Sequence, residues 1–196
     1  MRQLLRILSG KSANGSGPIR TERLVLRPLR EEDLDMVVLM AGDWDVASMT
    51  ARIPYPYTLA DARHWLDGLE HGELVCGIER NDDGAFVGVT GYLPAATASG
   101  ENSAEIGYWI GKPYWGRGYA TEAARALIAY CFTNVGFARL TCCHFADNHA
   151  SGRVIEKLGF MPAGSCARWC EARRVEALAE HYVLQRPAKF KWRRRG

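Results

Sequence analysis

The sequence predicts one mixed α/β domain with a central, mostly antiparallel sheet flanked by helices, and three observations support this fold class. The chain has 196 residues, a length typical of a single compact domain. Apolar residues make up 47% and charged residues 24% of it, as in ordinary globular proteins. The middle of the sequence alternates like consecutive strands, and a long helical period follows. Disordered and fibrous classes are therefore excluded.

The ends of the chain differ in composition from its middle. Residues 1–18 read as an N-terminal extension and linker, because residues 9–18 are rich in Ser, Gly and Asn. The folded domain is expected over 19–187 and a basic tail over 188–196. Basic and aromatic residues alternate in that tail alone, so we interpret it as a solvated end and do not expect nucleic acid as a partner.

Location and metal binding are constrained by what the chain contains. No stretch approaches the roughly 18 to 20 consecutive apolar residues of a membrane span, and residues 1–8 are too short for a signal peptide. The six cysteines form no C-x-x-C pair, which is typical of buried thiols in a reducing compartment. Cys142, Cys143 and His144 are adjacent and would alternate across a strand, so they cannot converge on a metal. We expect a cytoplasmic protein that uses no metal and contacts no membrane.

The first part of the domain alternates between strand and helix patterns. Its opening strand is apolar at every second residue, and the helix after it begins with an acidic turn that suits a helix N-terminus. The later strands form an antiparallel meander, with a hairpin turn at 81–84 and a gap at 95–102. The patterns predict strands over 23–29, 73–80, 85–93 and 103–111, and helices over 30–41 and 59–71.

The second part contains the strongest helical period of the chain. From Tyr119 onward, apolar residues recur at i, i+3 and i+4 until Gly136 ends the helix. A buried strand, another helix and a terminal strand pair follow. These are expected over 139–145, 148–159, 161–169 and 179–185.

The turn at 111–119 joins the strand at 104–110 to the long helix and carries the chemistry. Gly116 and Gly118 bracket Arg117, and such a glycine-rich turn exposes backbone N–H groups at the positive end of the helix dipole. That arrangement binds phosphate. Neither a P-loop nor a G-x-G-x-x-G dinucleotide motif is present, which excludes nucleotide hydrolases and Rossmann dehydrogenases.

Three segments resemble the GNAT superfamily of N-acetyltransferases, in the branch of the ribosomal-protein N-terminal acetyltransferases. They are TERLVLRPLREEDLD at 21–35, EIGYWIGKPYWGRGYATEA at 105–123 and NHASGRVIEKLGF at 148–160. The resemblance implies a sheet whose fourth and fifth strands splay apart and hold the cosubstrate acetyl-CoA. It also implies that the turn binds the pyrophosphate. The implied acetyl-CoA-binding residues are Ile110, Gly116, Arg117, Gly118, Tyr119, Ala120, Thr121, Asn148 and Ser151.

One position departs from the family's turn pattern. The pattern has Gln or Arg first, then Gly, then Gly or Ala, and it falls on Trp115, Gly118 and Ala120. Because the turn donates backbone N–H groups, we expect phosphate binding by 116–121 to survive. A side-chain contact from Trp115 to the cosubstrate stays open.

The catalytic roles follow from what acetyl transfer to an amine requires. Glu105, on the strand beside the expected acyl group, is the candidate general base. Ser151 is placed near the sulfur by the resemblance and is the candidate acid, with Tyr108 and Tyr119 as alternatives. Asn148 and Ser151 would equally suit a helix N-cap and first turn. No residue beside Cys142 or Cys143 marks an activated thiolate, so direct attack in a ternary complex is expected.

The acceptor is expected to be a primary amine, either a protein N-terminus or a small-molecule amine, and the chain a monomer or homodimer. The first two helices and their loop should shape its site, with Trp44, Tyr55, Tyr57 and His64. The alternative is an acyl-CoA-binding sensor or ribosome-associated module without turnover.

Overall fold

The computed structural model describes residues 17–96 and 102–188. Most of the expected linker, part of the gap at 95–102 and nearly all of the expected basic tail lie outside these residues. Within them the chain forms an eight-stranded sheet in the order β1-β2-β3-β4-β5-β6-β8-β7. The strands are β1 Ile19–Arg20, β2 Leu24–Pro28, β3 Leu74–Arg80, β4 Phe86–Ala96, β5 Asn102–Ile110, β6 Arg139–Phe145, β7 Met161–Cys170 and β8 Val175–Gln185.

Helices cover both faces of the sheet. The helices of the described residues are α1 Leu34–Ala41, α2 Trp44–Ala47, α3 Leu59–Asp67, α4 Tyr119–Tyr130 and α5 His149–Lys157. On one face Leu127 of α4 and Ile155 of α5 pack on Ile106 and Leu140 of the sheet. On the other face the apolar side of α1 packs against β4. The predicted mixed α/β class is confirmed.

Two strands separate in the middle of the sheet, as the family resemblance implied. β5 and β6 are the parallel pair, and they hydrogen-bond only where Ser103, Ala104 and Glu105 face residues 139–141. Beyond Glu105 the two strands diverge. The other neighbouring strands pair antiparallel. The divergence opens a cleft of about 1310 Å³ that runs through the sheet. The sequence prediction did not include β1, so its fourth and fifth strands are β5 and β6 of the structure.

Several element boundaries differ from the sequence prediction. The helix expected over 59–71 ends at Asp67, because Gly68 follows and its N–H bonds to the His64 carbonyl. The helix expected over 30–41 begins as a 3-10 turn at Glu31–Asp33. Strand β8 begins four residues before the expected Ala179. Strand β1 and helix α2, of two and four residues, were not predicted.

Candidate active site

The turn before α4 has the backbone shape that a phosphate cradle requires. Gly116 and Gly118 adopt φ values of +73° and +79°, which side chains on L-residues disfavour. Gly118 then caps α4. In the first helical turn, the amides of Tyr119, Ala120 and Thr121 have no carbonyl one turn before them to bond, as at every helix start. All three residues line the cleft, and N–H groups at a helix start are suited to bind an anion.

Trp115 closes the turn with its side chain. Its indole N–H donates to the carbonyl of Ile110, the last residue of β5, at 2.6 Å. The ring is 46% exposed and also lines the cleft. The residue that departs from the family's pattern therefore ties the turn to the end of the strand.

A second tie comes from the first segment of the chain. The Arg23 guanidinium bonds the Glu122 carboxylate at 2.6 Å and donates to the Arg117 carbonyl at 3.0 Å. The Arg23 amide and the Thr21 hydroxyl also donate to Glu122. The start of the sheet is thereby locked onto the phosphate turn. Sequence reasoning missed this contact, because the partners are about a hundred residues apart.

Helix α5 presents the second predicted group to the cleft. Asn148 caps the helix by accepting a bond from the Ser151 amide at 3.1 Å. The Ser151 hydroxyl lies 2.9 Å from the Tyr108 hydroxyl on β5. Burial raises the pKa of Tyr108 well above its usual range, although the bond to Ser151 partly opposes this. A protonated phenol and a hydroxyl are thus held side by side on the α5 face of the cleft.

Glu105 occupies the opposite face at the point where β5 and β6 part. Its Oε1 lies 3.0 Å from Nη1 of Arg168, and its side chain is 40% exposed. Arg168 sits on the edge strand β7, opposite Ala177 of β8, and reaches Glu105 across both β8 and β6. Sequence reasoning found Glu105 but not Arg168.

Cys143 lies beside this ion pair and stays a thiol. The same Arg168 nitrogen contacts its sulfur. Burial raises the pKa of Cys143 to about 11, and the Arg168 charge offsets this only in part. Burial also raises the pKa of Cys142, which faces the other side of the sheet. Neither thiol is an activated nucleophile at neutral pH.

The acceptor-side residues are only partly brought together. Tyr57 and His64 line the cleft. Trp44 and Tyr55 instead pack edge-to-face, with ring centroids 5.0 Å apart, and are absent from the lining that the described residues provide. Glu73 and Trp65 line the cleft and were not singled out from the sequence. No sequence feature marked Glu73 as a functional residue, since it precedes a strand in an ordinary polar turn.

Two further observations concern residues 17–96 and 102–188. None of their helices combines the length and apolar character needed to cross a bilayer. Within the same ranges, no three His, Cys, Asp or Glu side chains are grouped as a metal site.

The fold and the cleft are those of a class of acetyltransferases, and comparison with known families places the chain in it. Residues 23–161 match the acetyltransferase (GNAT) domain family. The chain therefore belongs to the GNAT acetyltransferase family and is an N-acetyltransferase, as its motifs predicted.

Individual relatives agree with this. The uncharacterized N-acetyltransferase YoaA of Bacillus subtilis (strain 168) is 30% identical over 155 residues, which cover 74% of this chain and 84% of YoaA. The structure of Mycobacterium smegmatis RimJ in complex with CoA-disulfide aligns with a TM-score of 0.73 at 25% identity, over 86% of each chain. RimL, a ribosomal L7/L12 α-N-protein acetyltransferase in complex with coenzyme A, aligns at 0.72 and 19% identity, over 86% of this chain and 97% of RimL. The RimL likeness supports the fold.

Proposed function

We propose that the protein transfers an acetyl group from acetyl-CoA to a primary amine by direct attack within a ternary complex. The observation that carries this is the separation of β5 and β6 directly beside a phosphate-binding turn, with a carboxylate at the branch point. With the pyrophosphate of acetyl-CoA on the turn, its thioester would lie in the gap. An amine would approach the thioester from the Glu105 face.

The cosubstrate would bind along the separated strand. Residues 116–121 would donate backbone N–H groups to the pyrophosphate, and Ile110, Asn148 and Ser151 would contact the pantetheine arm. All of these except Arg117 line the cleft. Arg117 points instead toward the Tyr114 ring, 5.9 Å from its centroid, so its part would be through its backbone. The CoA-bound RimJ and RimL structures support this cosubstrate.

The proton transfers can be assigned to the two faces of the cleft. The amine nitrogen would attack the thioester carbonyl, forming the C–N bond as the C–S bond breaks. Glu105, directly or through water, would take the proton that the amine loses. The departing thiolate would receive a proton from Ser151 or from Tyr108, whose raised pKa keeps it protonated. The thiol state of Cys143 supports direct attack over an acetyl-enzyme.

The acceptor belongs to one of two candidate classes of amine. The name of RimL describes an α-N-protein acetyltransferase, which supports a protein N-terminus as the first candidate. Small-molecule amines are the second. All six cysteines are free thiols, which supports the cytoplasmic location included in this proposal.

The test combines binding and turnover. Calorimetric titration with acetyl-CoA should show saturable binding. A thiol-release assay over peptide N-termini, polyamines and aminoglycosides should then show release with one amine class. Binding with no release on any amine would contradict transfer and favour an acyl-CoA sensor. Absence of binding would contradict the proposed role of the turn.

A further inference from the structure

A second carboxylate, Glu73, lies in the wall of the same cleft. Only 6% of its side chain is exposed, although the side chain lines the cleft. Carboxylates are seldom buried to this extent unless they are paired, because leaving water costs a charged group several kcal/mol. A nearly buried carboxylate facing a large cavity therefore calls for a cationic partner.

The sheet register places Glu73 on the same face as Glu105. Leu74, the next residue, pairs with Tyr92 on β4, so extending the ladder by one residue sets Glu73 opposite Leu93. Leu93 pairs with Glu105. The two glutamates are thus two strand spacings apart, about 10 Å between their backbones. Both carboxylates line the Glu105 face of the cleft.

Among residues 17–96 and 102–188, the contacts of Glu73 leave much of its bonding capacity open. In these ranges its Oε2 accepts one bond, from the Glu70 amide at 3.1 Å. Nη1 of Arg52 lies 4.0 Å from Oε1, a distance too long for a hydrogen bond, and the Arg52 side chain is 67% exposed. An ionised carboxylate accepts about four bonds. Arg52 is thus an exposed counter-charge that does not hydrogen-bond Glu73, and a cationic ligand can displace it.

Leu93 lies between the two glutamates on this face and also lines the cleft. The next row of the sheet is Val75, Gly91 and Gly107, all of which line the cleft. This row is open at Gly107, where an added Cβ would meet no atom within 4 Å. Tyr57, Trp65 and Trp109 line the same cavity and supply aromatic walls, which favour cations beside them. Ionisable side chains that also line the cleft include Asp61, His64 and the Glu105–Arg168 pair.

We infer that Glu73 binds a second positive charge of the acceptor, so that the substrate is an amine with a further cationic group about 10 Å from the nitrogen that is acetylated. This rests on the proposed acetyl transfer, since Glu105 marks the reactive end. The second charge replaces Arg52 at Oε1. The cationic group can belong to a diamine or to a basic side chain of a peptide.

Two pairs of probe amines separate these sources. The first pair is 1,7-diaminoheptane and 1-aminoheptane, which differ only in the second charge. The second pair is a tetrapeptide with lysine at its third position and the same peptide with norleucine there. Calorimetry measures the affinity of each probe for the CoA-loaded wild-type protein and for Glu73→Gln, which keeps the bond to the Glu70 amide and removes the charge. Thiol release from acetyl-CoA is measured in parallel.

The wild-type protein should bind the charged member of at least one pair about tenfold more tightly than its neutral partner. Glu73→Gln should abolish that difference. Arg52→Gln should increase it, because the competing cation is gone. The matched control is Glu31→Gln, at an exposed ion pair with Arg63 outside the cleft lining, and it should preserve the difference.

The inference is overturned if the wild-type protein does not discriminate within either pair, or if Glu73→Gln discriminates as well as wild type. The pair that shows the preference identifies the source of the charge. Because these readouts are affinities, they test Glu73 even if no probe is acetylated. Failure of thiol release on every amine would count against the proposed function alone.

Discussion

At the scale of single residues, the proposed base has a partner that the sequence could not reveal. Glu105 is the candidate base because it lies on the strand before the glycine-rich turn. Its partner Arg168 is 63 residues further along, on the outermost strand. The two meet only because β7 folds back on β8 and the long Arg168 side chain crosses β8 and β6. If Glu105 is the base that we propose, Arg168 is a positioning residue for it.

Replacing Glu105 with glutamine should separate catalysis from binding. Glu105→Gln is expected to lower kcat by about 100-fold or more, because the amide cannot accept the amine's proton. Acetyl-CoA affinity should stay near the wild-type value. Thiol release at saturating acetyl-CoA, with calorimetry for binding, measures both effects. An unchanged rate with an unchanged pH profile would remove Glu105 from the mechanism, and Glu31→Gln serves as the control.

At the scale of elements, long periodic segments were predictable and short or exposed ones were not. The meander and the cap at Asn148 were confirmed, since many buried side chains repeat the same pattern. The long helix also ends at Gly136 as predicted, although its last turn after α4, Cys131–Val135, is a π-helix. Strand β1 and helix α2 are too short to show a period. The first residues of β8 include the exposed Val175 and Leu178, so the pairing there depends on β7 and not on burial.

The turn before α4 was likewise predictable only in part. Its glycines predicted a turn with exposed backbone N–H groups, whereas the Trp115 contact depends on the chain returning to Ile110. Trp115→Phe retains an aromatic ring and removes the indole N–H. We expect acetyl-CoA affinity to fall by about tenfold, because the Ile110 carbonyl loses its partner and the turn loosens. Calorimetric titration measures this. An affinity equal to wild type would mean that Gly116 and Gly118 alone fix the turn.

The tie between Arg23 and Glu122 should appear in the pH dependence of stability. Burial alone would raise the pKa of Glu122, but bonds from Thr21 and Arg23 lower it below its ordinary 4.5. A lowered folded-state pKa means that the stabilisation is complete above about pH 4.5 and is lost as the pH falls through the folded value.

Urea midpoints of wild type and Glu122→Gln between pH 7 and 3 test this dependence. The variant should be less stable by about 1 kcal/mol at neutral pH. The difference should shrink as the pH falls below about 4.5, because protonation of this carboxyl then favours the unfolded wild-type chain. A gap that is constant across the range would show that the carboxylate charge contributes nothing to stability.

At the scale of the whole molecule, the sheet separates two tasks. Helices α4 and α5, with the phosphate turn, form the side that we assign to acetyl-CoA. Glu73, Glu105 and the cleft-lining residues of α1 and α3 form the side that we assign to the amine. The gap between β5 and β6 connects the two sides. The family motifs predicted this division, but the shape of the acceptor side arises from contacts between distant segments.

Gly107→Leu tests that division most directly, because a Cβ at this position would meet no atom within 4 Å and the side chain would extend from the Glu105 face. We expect the variant to fold and to bind acetyl-CoA within about threefold of wild type. Thiol release with the preferred amine should fall by about tenfold or more, since the acceptor is misplaced. Amine-dependent release at the wild-type rate would contradict approach of the acceptor from this face.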